Sequence, residues 1–127
     1  RTIQGKGIGV LGAFIVGLDD DDAAVFDRLA DFIIGNSLYA AQVTALTPLP
    51  GTRLRERLVR ENRVLQTGWE RYTFADVNFV PRRMSPEDLK KGILAVYTRI
   101  YSKEARLAVM RHFMKIYADL NTSRPWT

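Results

Sequence analysis

Gly7–Asp22 reads GIGVLGAFIVGLDDDD, an apolar run that ends in four aspartates. It falls short of the about 20 apolar residues that a membrane-spanning helix needs. Gly7, Gly9, Gly12 and Gly17 argue against a buried helix, because each interior glycine costs helix stability. A strand covered on both faces fits, since such strands read as near-continuous apolar runs. Alternation then divides the run. Ile8, Val10, Phe14 and Val16 form a bulky face suited to packing against helices. Gly9, Leu11, Ala13, Ile15 and Gly17 form a smaller face that leaves room for something else. Ligands of α/β sheets and barrels bind at the carboxyl ends of the strands, so the end of this run is where a site is expected.

Working outward, the aspartates Asp19–Asp22 suit the start of a helix, one as a cap and the others at its positive end. A helix is predicted over Ala23–Ile34, with Phe26, Leu29, Ala30 and Ile33 as its apolar stripe and Gly35-Asn36 as its stop signal. A second strand is predicted over Tyr39–Thr47. Ala41, Val43 and Ala45 share one face; Gln42, Thr44 and Leu46 share the other. The order strand, helix, strand implies a parallel unit. Polar Gln42 and Thr44 suit either the inside of a barrel near a ligand or a plain structural role, bonded to each other or to water.

Upstream, Arg1–Lys6 reads as the tail of a preceding helix or loop. Pro48-Leu49-Pro50-Gly51-Thr52 is a stiff turn, with Thr52 placed to cap a short helix running to about Asn62. Arg53, Arg55, Arg57 and Arg60 of that helix are expected to face mostly outward. Residues 63–82 are irregular but hold Trp69, Tyr72, Phe74 and Phe79, which suggests a loop packed over the preceding helices. Ser85-Pro86-Glu87-Asp88 is a strong helix start, followed by a stripe of Leu89, Ile93, Val96 and Ile100. Ser102 is placed to cap a further helix, in which Leu107, Met110, Met114 and Tyr117 line up as a core stripe, the two forming a hairpin. From Asn121 onward no pattern is visible. The fold class is thus α/β: a partial parallel (β/α) barrel fragment, strand-helix-strand-helix over residues 1–62, then a helical domain with an aromatic-rich connecting loop over residues 63–127.

The chain of 127 residues is 46% hydrophobic, enough for one domain with a core. It has no cysteine, which excludes disulfides and thiolate-held metals or clusters within it. Nothing resembles a signal peptide, so a cytoplasmic setting is expected. The first residue is not methionine, and the first strand begins almost at once, so the chain reads as a piece of a longer protein. Residues 1–52 hold three Lys/Arg against six Asp/Glu, and residues 53–127 hold sixteen against eight, giving −3 and +8. Charges of both signs are interspersed in the basic part, which reads as a solvated helical surface, with no nucleic acid expected as a partner. His112 is the only histidine and has no cysteine or second histidine to complete a zinc set. No serine sits at a nucleophile elbow, no phosphate loop is present, and Asp19–Asp22 reads as helix capping rather than as a metal site. No catalytic or metal-ligating residue is assigned.

Ala13-Phe14-Ile15-Val16-Gly17-Leu18-Asp19-Asp20 resembles the fifth-strand motif of radical SAM enzymes, GxIxGxxE, with Ala13 in place of the first glycine and Asp20 in place of the glutamate. Together with Leu46-Thr47-Pro48-Leu49-Pro50-Gly51-Thr52 it looks like the late barrel strands of the cobalamin-binding branch of that family. Glu61-Asn62-Arg63-Val64, Val77-Asn78-Phe79-Val80-Pro81 and Ile100-Tyr101-Ser102 are similar to the uncharacterised helical domain that follows the barrel in one subgroup, which includes proteins similar to hopanoid-modifying enzymes. The resemblance covers about Gly5 to Tyr117. It implies a parent enzyme that cleaves S-adenosylmethionine at a four-iron, four-sulfur cluster and acts on an unknown, lipid-like substrate, and it leaves cobalamin open as a further cofactor. The cluster's three-cysteine motif is absent here, so the chain alone is expected to be inert and to bind no cofactor. On this resemblance Ile15, Gly17, Leu46 and Thr47 form one wall of the cofactor site, with Ile15 at the adenine, while Gln42 and Thr44 face the substrate. The expected partners are the missing first half of the barrel and a second copy of the chain pairing strands; a membrane surface stays open. A non-catalytic interaction module using the basic helical hairpin is the alternative reading.

Overall fold

The computed structural model describes residues 2–122. Two parallel strands, β1 (Leu11–Val16) and β2 (Ala40–Ala45), lie side by side, joined by helix α1 (Ala24–Gly35). A short helix α2 (Arg53–Arg60) follows, then an ordered loop, then α3 (Pro86–Ile100) and α4 (Lys103–Thr122). The mixed α/β class, the parallel pairing and the strand-helix-strand-helix order agree with the expectation. Both strands are shorter than expected. The register pairs Leu11 with Ala40, Ala13 with Gln42 and Ile15 with Thr44.

The two faces differ as the alternation requires. Val16, Ala41, Val43 and Ala45 are buried against α1, whose own stripe of Phe26, Ala30 and Ile33 is buried with them. Leu11 and Ile15 are exposed at 61% and 59%, which leaves the opposite face bare. Helix α3 lies on α1 and on the sheet, burying Leu89, Ile93, Val96 and Ile100. The approach of α1 is close enough to require Gly92, because a Cβ there would stand 2.2 Å from the Phe26 ring.

Helix α3 also closes the outer edge of β2. The Tyr97 hydroxyl donates to the Val43 carbonyl at 3.0 Å and accepts from the Val43 amide at 2.8 Å. Tyr101, one turn on, does the same for Ala41 at 3.1 and 3.3 Å. The Ala45 amide donates to the Phe74 carbonyl of the loop. Two tyrosines at helical spacing thus stand in for a neighbouring strand.

Local signals account for the helix starts. Ser85 and Asp88 form a capping box on α3, Thr52 accepts from the Arg55 amide, and Ser102 accepts from the Ala105 amide. The expected loop over residues 63–82 is held in place: Val64 bridges Phe79 antiparallel, and buried Asn78 binds the Arg71 carbonyl and the Thr67 hydroxyl. Phe79 is fully buried, while Trp69 and Phe74 are each 63% exposed, so only part of the aromatic set covers the core.

Four expectations need correction. Met110, Met114 and Tyr117 are exposed; α4 buries Ala105, Val109 and Phe113 instead, because it docks near the amino ends of the strands, with Phe113 edge-on to Tyr39 and the Tyr117 hydroxyl donating to the Gly7 carbonyl. Helices α3 and α4 touch little beyond their joint, since α3 is engaged by α1 and α4 by the turn Gln4–Lys6. Arg55 and Arg57 are partly buried and bonded internally rather than turned outward. The patternless tail expected from Asn121 begins inside α4, and residues 123–127 lie outside the described residues.

Candidate functional site

The carboxyl end of β1 is built from the aspartate run, and each aspartate does something different. Gly17 leaves the strand at φ 93°, and its amide and that of Leu18 both donate to Asp21 Oδ2 at 2.9 Å. Asp22 accepts from the Ala24 amide just ahead of α1, whose N-cap position is Ala23 and carries no side-chain cap, so the expected aspartate cap is not formed. Asp20 is open to solvent, 3.9 Å from Arg83. Asp19 turns back against the protein and receives Arg57, Arg63 at 3.0 Å and Arg82 at 3.6 Å. Glu61 joins through Arg63 at 2.7 Å and Arg82 at 3.3 Å.

This network ties β1 to α2 and to both ends of the loop. Burial pushes the Asp19 carboxyl upward, but hydrogen bonds from Arg57 and Arg63, and their charges, outweigh it and hold the group below the ordinary carboxylate value. The Arg63 hydrogen bond does the same for Glu61. Among the described residues no group of three or more histidines and carboxylates is placed to hold a metal ion. The orphaned polar atoms include Nη2 of Arg63 and Nε2 of His112.

The residues read as site-forming separate into two kinds. Ile15, Gln42 and Thr44 share the bare face: Ile15 sits opposite Thr44 in the register, and Gln42 is one step back, opposite Ala13. The Thr44 hydroxyl donates to the Phe14 carbonyl at 3.4 Å rather than to Gln42. Gly17 is buried, with Leu89 and Phe79 against it. Leu46 is partly buried and touches the core, so it does not share the bare setting of Ile15. The Thr47 hydroxyl donates to the Ala45 carbonyl.

The family model described as "Domain of unknown function (DUF4070)" matches residues 52–127. The chain belongs to this family. The DUF4070 segment begins at the Thr52 cap of α2, so it contains the arginine side of the Asp19 network, while Asp19 and both strands precede it. Over 101 residues the chain is also 30% identical to an uncharacterized methyltransferase of Pyrococcus horikoshii. That alignment covers 80% of this chain and 22% of the relative, so the chain spans about a fifth of that protein's length. No helix among the described residues is long and apolar enough to cross a membrane.

Sequence reasoning missed Asp19 as the hub of a network and Tyr97 and Tyr101 as edge caps. The i, i+4 tyrosine pair on the flank of the α3 stripe was a visible signal. The convergence of Arg57, Arg63 and Arg82 on one carboxylate had no sequence signal, because it joins positions up to 63 apart.

Proposed function

We propose that this chain is the carboxyl-terminal wall of a radical SAM enzyme of the cobalamin-binding type, with its cluster ligands in the part of the parent protein outside this chain. The observation that carries the reading is the bare parallel face: Ile15, Gln42 and Thr44 stand together on one side of two strands, while Val16, Ala41, Val43 and Ala45 on the other side are buried in the core. Membership of DUF4070 and similarity to a protein named as a methyltransferase support it.

The residues present fit one end of the cofactor. Exposed Ile15 offers an apolar surface at the carboxyl end of β1, suited to the flat face of an adenine ring. Gly17 and Thr47 bring main chain to the same strand ends. With no cysteine in the chain and no metal-holding group among the described residues, nothing here fits the cluster itself. In the intact enzyme the cluster and S-adenosylmethionine supply a carbon radical. This chain's part is to seat the adenosyl end and, through Gln42 and Thr44, to face the substrate.

The test is to purify the intact parent protein and measure iron, sulfide, cobalt and S-adenosylmethionine binding. Four irons with matching sulfide, and weaker S-adenosylmethionine binding after Ile15→Glu, are expected. A parent without iron sinks the reading. That result would favour a non-catalytic module, for which the exposed Met110 and Met114 of basic helix α4 offer the docking surface.

A further inference from the structure

A cavity of about 450 Å³ opens beside the closed edge of β2, within the size range of small-molecule sites. It is lined by Val43 and Tyr97, by Phe74 and Ala75 of the loop, and by Ile93 and Leu94 of α3. Phe74 and Leu94 are exposed at 63% and 67%, so two large apolar side chains border the cavity without being covered by the protein's own core. Gln42 and Thr44 border it on the side of the bare face.

The rim toward the first turns of α3 carries Glu87, Lys90 and Lys91. Lys91 pairs with Glu87 at 3.7 Å. Lys90 has no ion-pair partner among the described residues, and the Gln42 side chain has no hydrogen-bond partner there. The cavity therefore combines an apolar trough with one uncompensated ammonium at its mouth. A solvated pocket of that make-up complements a molecule with an apolar chain and an anionic head.

We propose that this cavity binds an amphiphile of that class: an extended hydrocarbon lying between Phe74 and Leu94, with a carboxylate or phosphate head at Lys90. As a statement about the enzyme's substrate, this rests on the reading of Gln42 and Thr44 as substrate-facing. As a statement about binding, it rests on this chain's residues alone. Apolar contact supplies most of the attraction. The head fixes direction and weakens with salt.

The test titrates the 127-residue chain with decanoate, acetate and decylammonium below their micelle concentrations, followed by amide chemical shifts. Decanoate should bind with shifts grouped at Thr44, Ala75 and Leu94. Acetate should not bind, and decylammonium should bind about fivefold more weakly or worse, the scale of one exposed charge contact in a low-salt buffer. Lys90→Glu should erase or reverse the preference for decanoate. Leu94→Asp, a change at an exposed position that the fold tolerates, should weaken decanoate about tenfold by removing apolar contact. Ile3→Lys, at an exposed position outside the cavity lining, should leave decanoate binding unchanged. Shifts grouped at Leu11 and Ile15, equal binding of decanoate and decylammonium, or no binding at all would each overturn the proposal. A phosphate head is distinguished from a carboxylate by repeating the titration with decyl phosphate, where tighter binding at Lys90 assigns the head. An iron-free parent protein would remove the enzymatic reading and leave these results standing.

Discussion

Gly17 ends β1 in the left-handed region that side chains other than glycine rarely adopt. A Cβ there would also stand 2.8 Å from Leu89 and 3.1 Å from the Phe79 ring, both fully buried. Gly17→Ala combines backbone strain with overpacking and should cost about 2–4 kcal/mol of unfolding free energy, measured by denaturant titration. A change below about 1 kcal/mol would show that the turn relaxes freely. Asp19 makes a prediction in pH. Its carboxyl is held below its ordinary value of 3.8 by Arg57 and Arg63, against the opposing effect of burial. A folded value below the unfolded one means stability that is present above about pH 4 and lost as pH falls through the folded value. Asp19→Asn should therefore cost about 1–3 kcal/mol at pH 7, since it also leaves Arg63 short of a partner. The difference should shrink toward zero as both proteins are titrated below pH 4. An equal penalty at pH 7 and pH 2 would show that charge is not what Asp19 contributes.

At the scale of elements, α3 is the piece on which the others depend. Its stripe fills the core, Gly92 admits Phe26, and its tyrosines close β2. Gly92→Ala sets two effects against each other: alanine favours the helix by about 1 kcal/mol, while the Phe26 ring must move from 2.2 Å. Because Phe26 is buried, the clash should win and the variant should lose about 1–2 kcal/mol. A more stable variant would mean that α1 shifts without penalty. Tyr97→Phe keeps the ring but strips the Val43 amide and carbonyl of their partner, which should cost about 1–3 kcal/mol by thermal unfolding and raise amide exchange at Val43. These elements were unequally legible. The α3 stripe, its cap and the two strand faces follow from spacing alone, because period and capping are local. The α4 stripe misled, since Met110 and Met114 keep helical spacing whether or not a neighbour covers them. What decided burial was the docking of Phe113 on Tyr39, a contact between distant segments that no local pattern encodes.

For the molecule as a whole, the sheet is closed on one side and open on the other. Tyr97, Tyr101 and the Phe74 carbonyl occupy the outer groups of β2, while among the described residues nothing bonds the outward backbone groups of Leu11, Ala13 and Ile15 on β1. An uncovered strand edge bearing exposed Leu11 and Ile15 is a template for pairing. The parallel strand pairing was legible in the apolar run and its neighbours; which edge stays open was not, because that depends on tyrosines more than 50 residues away in sequence. In isolation the chain should therefore self-associate, through β1 alone, and stop at a dimer, since each copy offers one edge. Leu11→Lys with Ile15→Lys should abolish the association and change monomer stability by only about 0.5 kcal/mol, both positions being exposed. Tyr97→Phe with Tyr101→Phe should do the reverse: with the β2 edge freed, each copy has two, and sedimentation should show species beyond the dimer. A clean monomer of the unaltered chain at high concentration would mean that the β1 edge is protected in solution.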